Sequence, residues 1–218
     1  MKTTLVSYSQ SPSLPCDNDP TPLDLVAYCA RVSNPANQNN TETNEKLVKY
    51  LMKHQHWSPL EMVSVCMEIE TTRDIARQIL RHRSFSFQEF SQRYASPSEM
   101  GDYPFELRGV RLQDTTNRQN SIDVDDPVLE EKWFAQQKKV IAAAQTAYHW
   151  AIDNGIAKEQ ARCVLPEGNT KSRMYMNGTL RSWIHYIDLR GANGTQQEHM
   201  DIALACAEVI GKLFPVST

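Results

Sequence analysis

Hydrophobic and polar positions divide the chain into segments of different period. Val63, Val65, Met67 and Ile69 alternate with Ser64, Cys66, Glu68 and Glu70, which predicts a half-buried strand over residues 62–70. Helical spacing holds before it. Leu25, Val26 and Cys29 predict a helix over 23–31, and Leu47, Val48, Leu51 and Met52 form the inward face of another over 43–54. Asp126-Pro127 has the form of an N-cap and first helical turn, and Gly155 that of a helix stop. A long helix is predicted between them, with Leu129, Trp133, Val140, Ala147 and Ala151 on its stripe and Trp133, Tyr148 and Trp150 as core or subunit contacts.

The C-terminal third continues the pattern. A helix over 157–164 carries Arg162 and stops at Leu165-Pro166, and SRMYMN (172–177) reads as a short strand. Residues 180–191 predict a helix with Trp183, Ile184 and Ile187 inward and Gly191 closing it, and 195–213 a last one packing Ile202, Ala205, Val209, Ile210 and Leu213. Residues 9–22 form a proline-rich loop, and 96–126 a long surface excursion without a legible role. No repeat or linker interrupts the chain, so the expectation is one α+β domain over 1–218, a sheet flanked by helices.

Composition narrows the setting. The 40% hydrophobic content of 218 residues leaves room for a polar or inter-subunit site, and a net charge of -3 argues against general nucleic-acid binding. The chain has no apolar run long enough to cross a membrane, and MKTTLVSYSQ lacks a signal-peptide core, so a soluble, cytoplasmic protein is expected. Cys16, Cys29, Cys66, Cys163 and Cys206 form no CxxC pair and read as reduced thiols. Cys163, beside Arg162, is open to two readings, a nucleophile or a packing thiol. His54 and His56 form an HxH pair, but no third ligand at fixed spacing accompanies it, so no metal is expected.

The candidate chemistry concentrates in RHRSFSFQEFSQRY, residues 81–94. Arg81, His82, Arg83 and Arg93 gather there beside Phe85, Phe87 and Phe90, and such a cluster is costly to bury without an anionic partner. If 85–93 run extended, Glu89, Ser91 and Arg93 share one face. Upstream, Thr72 is a candidate cap for a helix carrying Arg73, Arg77 and Arg81 at i+4 spacing, with Gln78 beside them. The alternative is a solvated basic face.

Arg81-His82-Arg83, seven residues and then Ser91, followed by Gln92-Arg93-Tyr94, resembles the signature of flavin-dependent thymidylate synthases. The resemblance runs from ARVS at 30–33 to the C-terminal helix and is thinnest over 1–25 and 96–126. It implies reductive methylation of dUMP to dTMP, with carbon from methylenetetrahydrofolate and hydride from FAD reduced by NADPH. For dUMP it implies contacts from Gln78, Arg81, Glu89, Ser91, Gln92, Arg93, Arg162 and Arg190. For FAD it implies contacts from His56, Ser58, Glu61, Arg81, His82, Arg83, Glu89, Thr179, Arg181 and His185. It also implies a homotetramer with sites shared between chains.

The residues qualify these roles. Arg181 and His185 lie one helical turn apart and can address one ligand, whereas Arg190 lies about 140° around a regular helix from His185. As the last helical residue before Gly191, Arg190 is the expected catalytic group, stabilising an anionic uracil. Ser91 is read as a binding hydroxyl, since no Ser-His-Asp arrangement supports a nucleophile. Gln88 and Thr179 stand where the family often has asparagine, His185 stands where some members have another, and GANGTQQEH departs from the commoner acidic-His pattern. Two rivals remain: a flavoprotein oxidase or reductase without methyl transfer, and a non-catalytic nucleotide-binding or assembly protein.

Overall fold

The computed structural model describes residues 1–11, 14, 19–101 and 103–215. Cys16 and part of the proline-rich loop expected over 9–22 lie outside them. The elements run β1 (Lys2–Tyr8), α1 (Pro22–Ala30), α2 (Asn44–Lys53), β2 (Ser64–Thr72), α3 (Arg73–Ile79), β3 (Ser86–Glu89), β4 (Arg111–Gln113), β5 (Ser121–Asp123), α4 (Pro127–Asp153), α5 (Lys158–Ala161), β6 (Lys171–Thr179), α6 (Leu180–Arg190) and α7 (Gln197–Leu213). The main sheet has the order β1-β2-β6-β3 with every pairing antiparallel. β4 and β5 form a separate two-stranded ribbon.

β2 obeys its alternation. Val65, Met67 and Ile69 are fully buried, while Cys66, Glu68 and Glu70 stay partly exposed. The strand expected at 172–177 is longer, nine residues, and central: β6 pairs with β2 on one side and β3 on the other. Its Met174 and Met176 join the β2 side chains in a core completed by Leu23 and Val26 (α1), Val48 (α2), Trp183 (α6) and Ile202 (α7). The opposite face of the sheet is polar. Glu70 faces Arg173 across the ladder and ion-pairs with it, and the Tyr175 hydroxyl donates to Glu68 at 2.9 Å.

α4 begins and ends as expected. The Asp126 carboxylate accepts from the Leu129 N–H at 2.9 Å, and Gly155 adopts φ +75 just past the helix. Its buried face differs from the predicted stripe. Gln137, Ala144, Tyr148 and Ala151 turn inward, whereas Leu129, Trp133, Val140 and Ala147 lie open, with Val140 54% exposed. The excursion over 96–126 is anchored to this helix: the Gln137 side chain accepts from the Arg108 N–H and donates to the Arg108 carbonyl, at 2.9 and 2.8 Å.

Gly191 caps α6, but with φ -78 it lies in the right-handed region, so left-handed backbone is not what selects glycine there. A Cβ would stand 2.8 Å from the Ile187 carbonyl oxygen, so the selecting force is close approach.

Candidate active site

α3 ends earlier than its arginine spacing suggested. Thr72 precedes the helix without capping it, since its hydroxyl donates to Asp74 at 2.6 Å. Leu80 closes the helix, so Arg81 sits in the following turn rather than on the face of Arg73 and Arg77. The turn is fixed from below. Phe85 is buried against Trp183, ring centroids 4.9 Å apart, over Gly178. Arg81 and Arg83 consequently point outward, and neither has a carboxylate partner among the described residues.

His82 turns the other way. Its ring meets Tyr186 edge-on at 4.9 Å, and its Nε2 accepts from Arg190 Nε at 2.9 Å. An arginine can only donate, so His82 must present a lone pair and be neutral. Burial first, then the charges of Arg190 and Arg81, hold its pKa below the usual 6.5. His199 lies alongside with no exposed surface, its Nδ1 3.3 Å from Gln78 Oε1 and its Nε2 3.1 Å from the Tyr186 hydroxyl. Burial, reinforced by Arg190 and His82, lowers its pKa to about 4.

A second group surrounds a cavity of about 380 Å³ lined by Arg73, Arg77, Gln92, Glu159, Arg162, Cys163, Leu165 and Glu167. Glu89 ends β3, and the chain then turns, with the Ser91 carbonyl accepting from the N–H groups of Tyr94 and Ala95 at 3.1 Å. The extended face expected for Glu89, Ser91 and Arg93 therefore does not form. Glu89 instead accepts from the Ser172 hydroxyl at 2.7 Å and lies 3.5 Å from Arg73, and Arg93 lies 3.6 Å from Glu159. The turn buries Gln92, which is 3% exposed and whose Nε2 has no protein partner. Arg77 pairs with Glu167, but Arg162 only donates to the Glu159 carbonyl, leaving its charge without a carboxylate among the described residues.

A third group lies at the start of α6. Thr179 caps the helix through the Ser182 N–H at 3.3 Å, Arg181 ion-pairs with Glu61, and His185 packs on Trp57 with ring centroids 4.5 Å apart. Ser58 borders an adjoining cavity of about 410 Å³ with Tyr28, Val32, Pro59 and Met62, while His56 is exposed nearby. Unpaired Arg81 and Arg83, an apolar cavity and a polar helix start suit a group with an anionic linker and an aromatic body. The expected residues thus fall into three sets, and the nucleotide set is split: Gln78 and Arg190 belong to the group around His82 and His199, whereas Gln92 and Arg162 line the arginine-lined cavity and Arg93 lies against its Glu159. Sequence reasoning missed Tyr186, Gln196 and His199 as partners of that set. The run TQQEH was the available signal, since it places an amide, a carboxylate and an imidazole within one helical turn.

Residues 16–216 match the family model described as "Thymidylate synthase complementing protein". The probable flavin-dependent thymidylate synthase of Paramecium bursaria Chlorella virus 1 is 50% identical over 192 residues, 88% of this chain and 87% of that protein. The flavin-dependent thymidylate synthase of Synechocystis is 48% identical over 206 residues, 94% of this chain and 92% of its own. The chain belongs to the flavin-dependent thymidylate synthases. A solved relative has a similar fold: the UMP/dUMP methylase PolB from Streptomyces cacaoi, bound with 5-Br dUMP, matches with a TM-score of 0.79 at 25% identity over 99% of this chain and 91% of its own. All three residue groups lie inside residues 16–216, the span matched by that family model.

Proposed function

We propose that this flavin-dependent thymidylate synthase methylates dUMP to dTMP, taking carbon from methylenetetrahydrofolate and using FAD reduced by NADPH. The observation that carries the reading is the Gln92 amide, buried with an unpartnered N–H beside the uncompensated Arg162 at an arginine-lined cavity. An unmet buried donor is costly, and an anionic, hydrogen-bonding ligand such as a nucleotide meets both needs. A flavoprotein without a nucleotide substrate would leave that donor unmet.

Arg162, Arg93, Gln92, Ser91 and Glu89 hold dUMP from the cavity side, and Gln78, Arg81 and Arg190 from the other. Ser91 acts as a binding hydroxyl, its Oγ having only the Arg93 N–H as a partner among the described residues. Arg190 is the catalytic group. Held by His82, its guanidinium stabilises negative charge on the uracil while C5 bonds to the methylene carbon and that carbon's bond to a folate nitrogen breaks, the electron pair staying on nitrogen. FAD, when bound, supplies the hydride. Arg81, Arg83, Arg181, His82 and Glu89 orient it, with His56, Ser58, Glu61, Thr179 and His185 bordering its place.

We place the two halves of the nucleotide set on neighbouring chains of a homotetramer, for which the open apolar face of α4 is the support. Residues 1–218 act as one domain, because the main core draws on elements from β1 to α7. The four described cysteines are all free thiols, which supports a reducing cytoplasmic setting. Among the described residues no helix is long and apolar enough to cross a membrane. Incubation with dUMP, methylenetetrahydrofolate, FAD and NADPH should yield dTMP, and the gene should restore growth of a thymidine-requiring strain. NADPH oxidation without dTMP, in a protein that binds flavin, would overturn the reading in favour of a reductase.

A further inference from the structure

A chain of side-chain hydrogen bonds runs from the β4–β5 ribbon to the centre of the Arg190 group. Arg111 ion-pairs with Glu198, whose other oxygen accepts from Gln196 Nε2 at 2.9 Å. Gln196 Oε1 accepts from Gln78 Nε2 at 2.7 Å, Gln78 Oε1 meets His199 Nδ1 at 3.3 Å, and His199 Nε2 meets the Tyr186 hydroxyl at 3.1 Å. Glu198 is 6% exposed, and Gln78 and Gln196 are half-buried, so little of this chain is open to water.

Its polarity follows from one end. A carboxylate only accepts, so Gln196 must present its nitrogen to Glu198 and its oxygen to Gln78. Gln78 must then give its nitrogen to Gln196 and turn its oxygen to His199. That oxygen requires a donor, which puts the His199 proton on Nδ1 and leaves Nε2 to accept from Tyr186. Each group is consistent with its assigned form. Burial pushes the Glu198 carboxyl up, but hydrogen bonds from Arg111, its own backbone N–H and Gln196 outweigh it and hold the group ionised. Burial raises the Tyr186 phenol far above its usual value, so it keeps its proton, and burial with the nearby Arg190 and His82 keeps His199 neutral. No member of the chain can reverse without stranding a neighbour.

We propose that this relay positions Gln78 for the nucleotide, with His199 as the inner positioning residue and Arg111 as its outer anchor. The inference rests on the reading of Gln78 as a dUMP contact. A free glutamine amide offers donor and acceptor interchangeably, so a ligand must select one orientation and hold it. Here one N–H and one carbonyl lone pair are already committed, leaving one of each in fixed places for the ligand. The excursion over 96–126 thereby gains a role, since its Arg111 helps hold ionised the Glu198 carboxylate that polarises the whole chain.

The test is dUMP binding to the flavin-loaded protein by titration calorimetry. His199→Asn keeps a donor where Nδ1 stands, whereas His199→Gln keeps only the acceptor toward Tyr186. Loss of preorganisation should weaken dUMP by about three- to tenfold in His199→Gln and in Arg111→Met, while His199→Asn stays near wild type. Combined with Gln78→Ala, neither His199→Gln nor Arg111→Met should weaken binding beyond Gln78→Ala alone. Equal losses in the Asn and Gln variants, or losses that add to that of Gln78→Ala, would make His199 a packing residue and overturn the relay. If Gln78→Ala weakens dUMP while the relay variants bind normally, the relay alone falls. If Gln78→Ala binds dUMP normally, the contact and the relay fall together. Should His199→Gln fail to fold, Arg111→Met carries the same comparison from the outer end of the relay.

Discussion

At the residue scale the decisive contact is the 2.9 Å hydrogen bond from Arg190 to His82. It joins the last residue of α6 to the middle of the Arg-His-Arg turn and aims a permanent cation by means of a neutral imidazole. Arg190→Ala should remain folded and flavin-bound, yet form dTMP at least about a hundredfold more slowly, as when one preorganised donor is lost. Near-normal turnover would return Arg190 to a residue that merely complements the helix dipole, a role worth about 0.3–1 kcal/mol. The two lowered histidines also predict a pH effect. Their folded-state pKa values lie below the unperturbed 6.5, so the stability they contribute is complete above that pH and is lost as pH falls through the folded values. For His199 the window runs from 6.5 down to about 4, with a limiting slope of about 1.4 kcal/mol per pH unit. The groups facing it are His82, Arg190, Tyr186 and Gln78. Urea unfolding across this range should show a shallower pH dependence in His199→Asn than in wild type.

At the scale of elements, β6 carries the turn that presents the cations. Gly178 buries its backbone against the Phe85 ring, and a Cβ there would run into that ring. Gly178→Ala should cost about 1–3 kcal/mol, read as a lower thermal midpoint, and should weaken flavin binding because Arg81 and Arg83 ride on the same turn. A melting curve like that of wild type would show that Phe85 yields without cost. α4 poses the opposite case, a helix that packs one face on Ala161 and leaves a second apolar face open among the described residues. Trp133 is 43% and Trp150 62% exposed beside Val140. Trp133→Glu with Val140→Glu should leave helix content intact by circular dichroism and shift sedimentation toward smaller species. Unchanged sedimentation would remove α4 from the assembly surface.

For the whole molecule, the proposed assembly draws Gln78 with Arg190 from one chain and Gln92 with Arg162 from its neighbour. If neighbouring chains each supply one group, an Arg162→Ala chain and an Arg190→Ala chain, each inactive alone, should regain dTMP synthesis when unfolded together and refolded as a mixture. A mixed assembly contains some sites built from two intact halves. No recovery in a mixture that demonstrably co-assembles would place the whole site within one chain.

Much of this was legible in the chain itself. The period of two placed β2, the proline and acidic cap opened α4, and the Arg-His-Arg cluster marked a candidate site for an anionic ligand, because these depend on residues close in sequence. The sequence could not say where the polar strand stops. Glu89, Ser91 and Arg93 alternate perfectly, yet the chain turns at Ser91 and buries Gln92. Nor could periodicity tell the inner face of α4 from the outer. Both carry apolar residues, and only the packing of Tyr148 and Ala151 against Ala161 selects one. The Arg190–His82 contact and the relay through His199 required the fold outright, since a hydrogen bond between distant segments depends on where each helix ends and how its turn is packed. Local pattern therefore set the chemistry available to this protein, and tertiary packing set which of those groups meet.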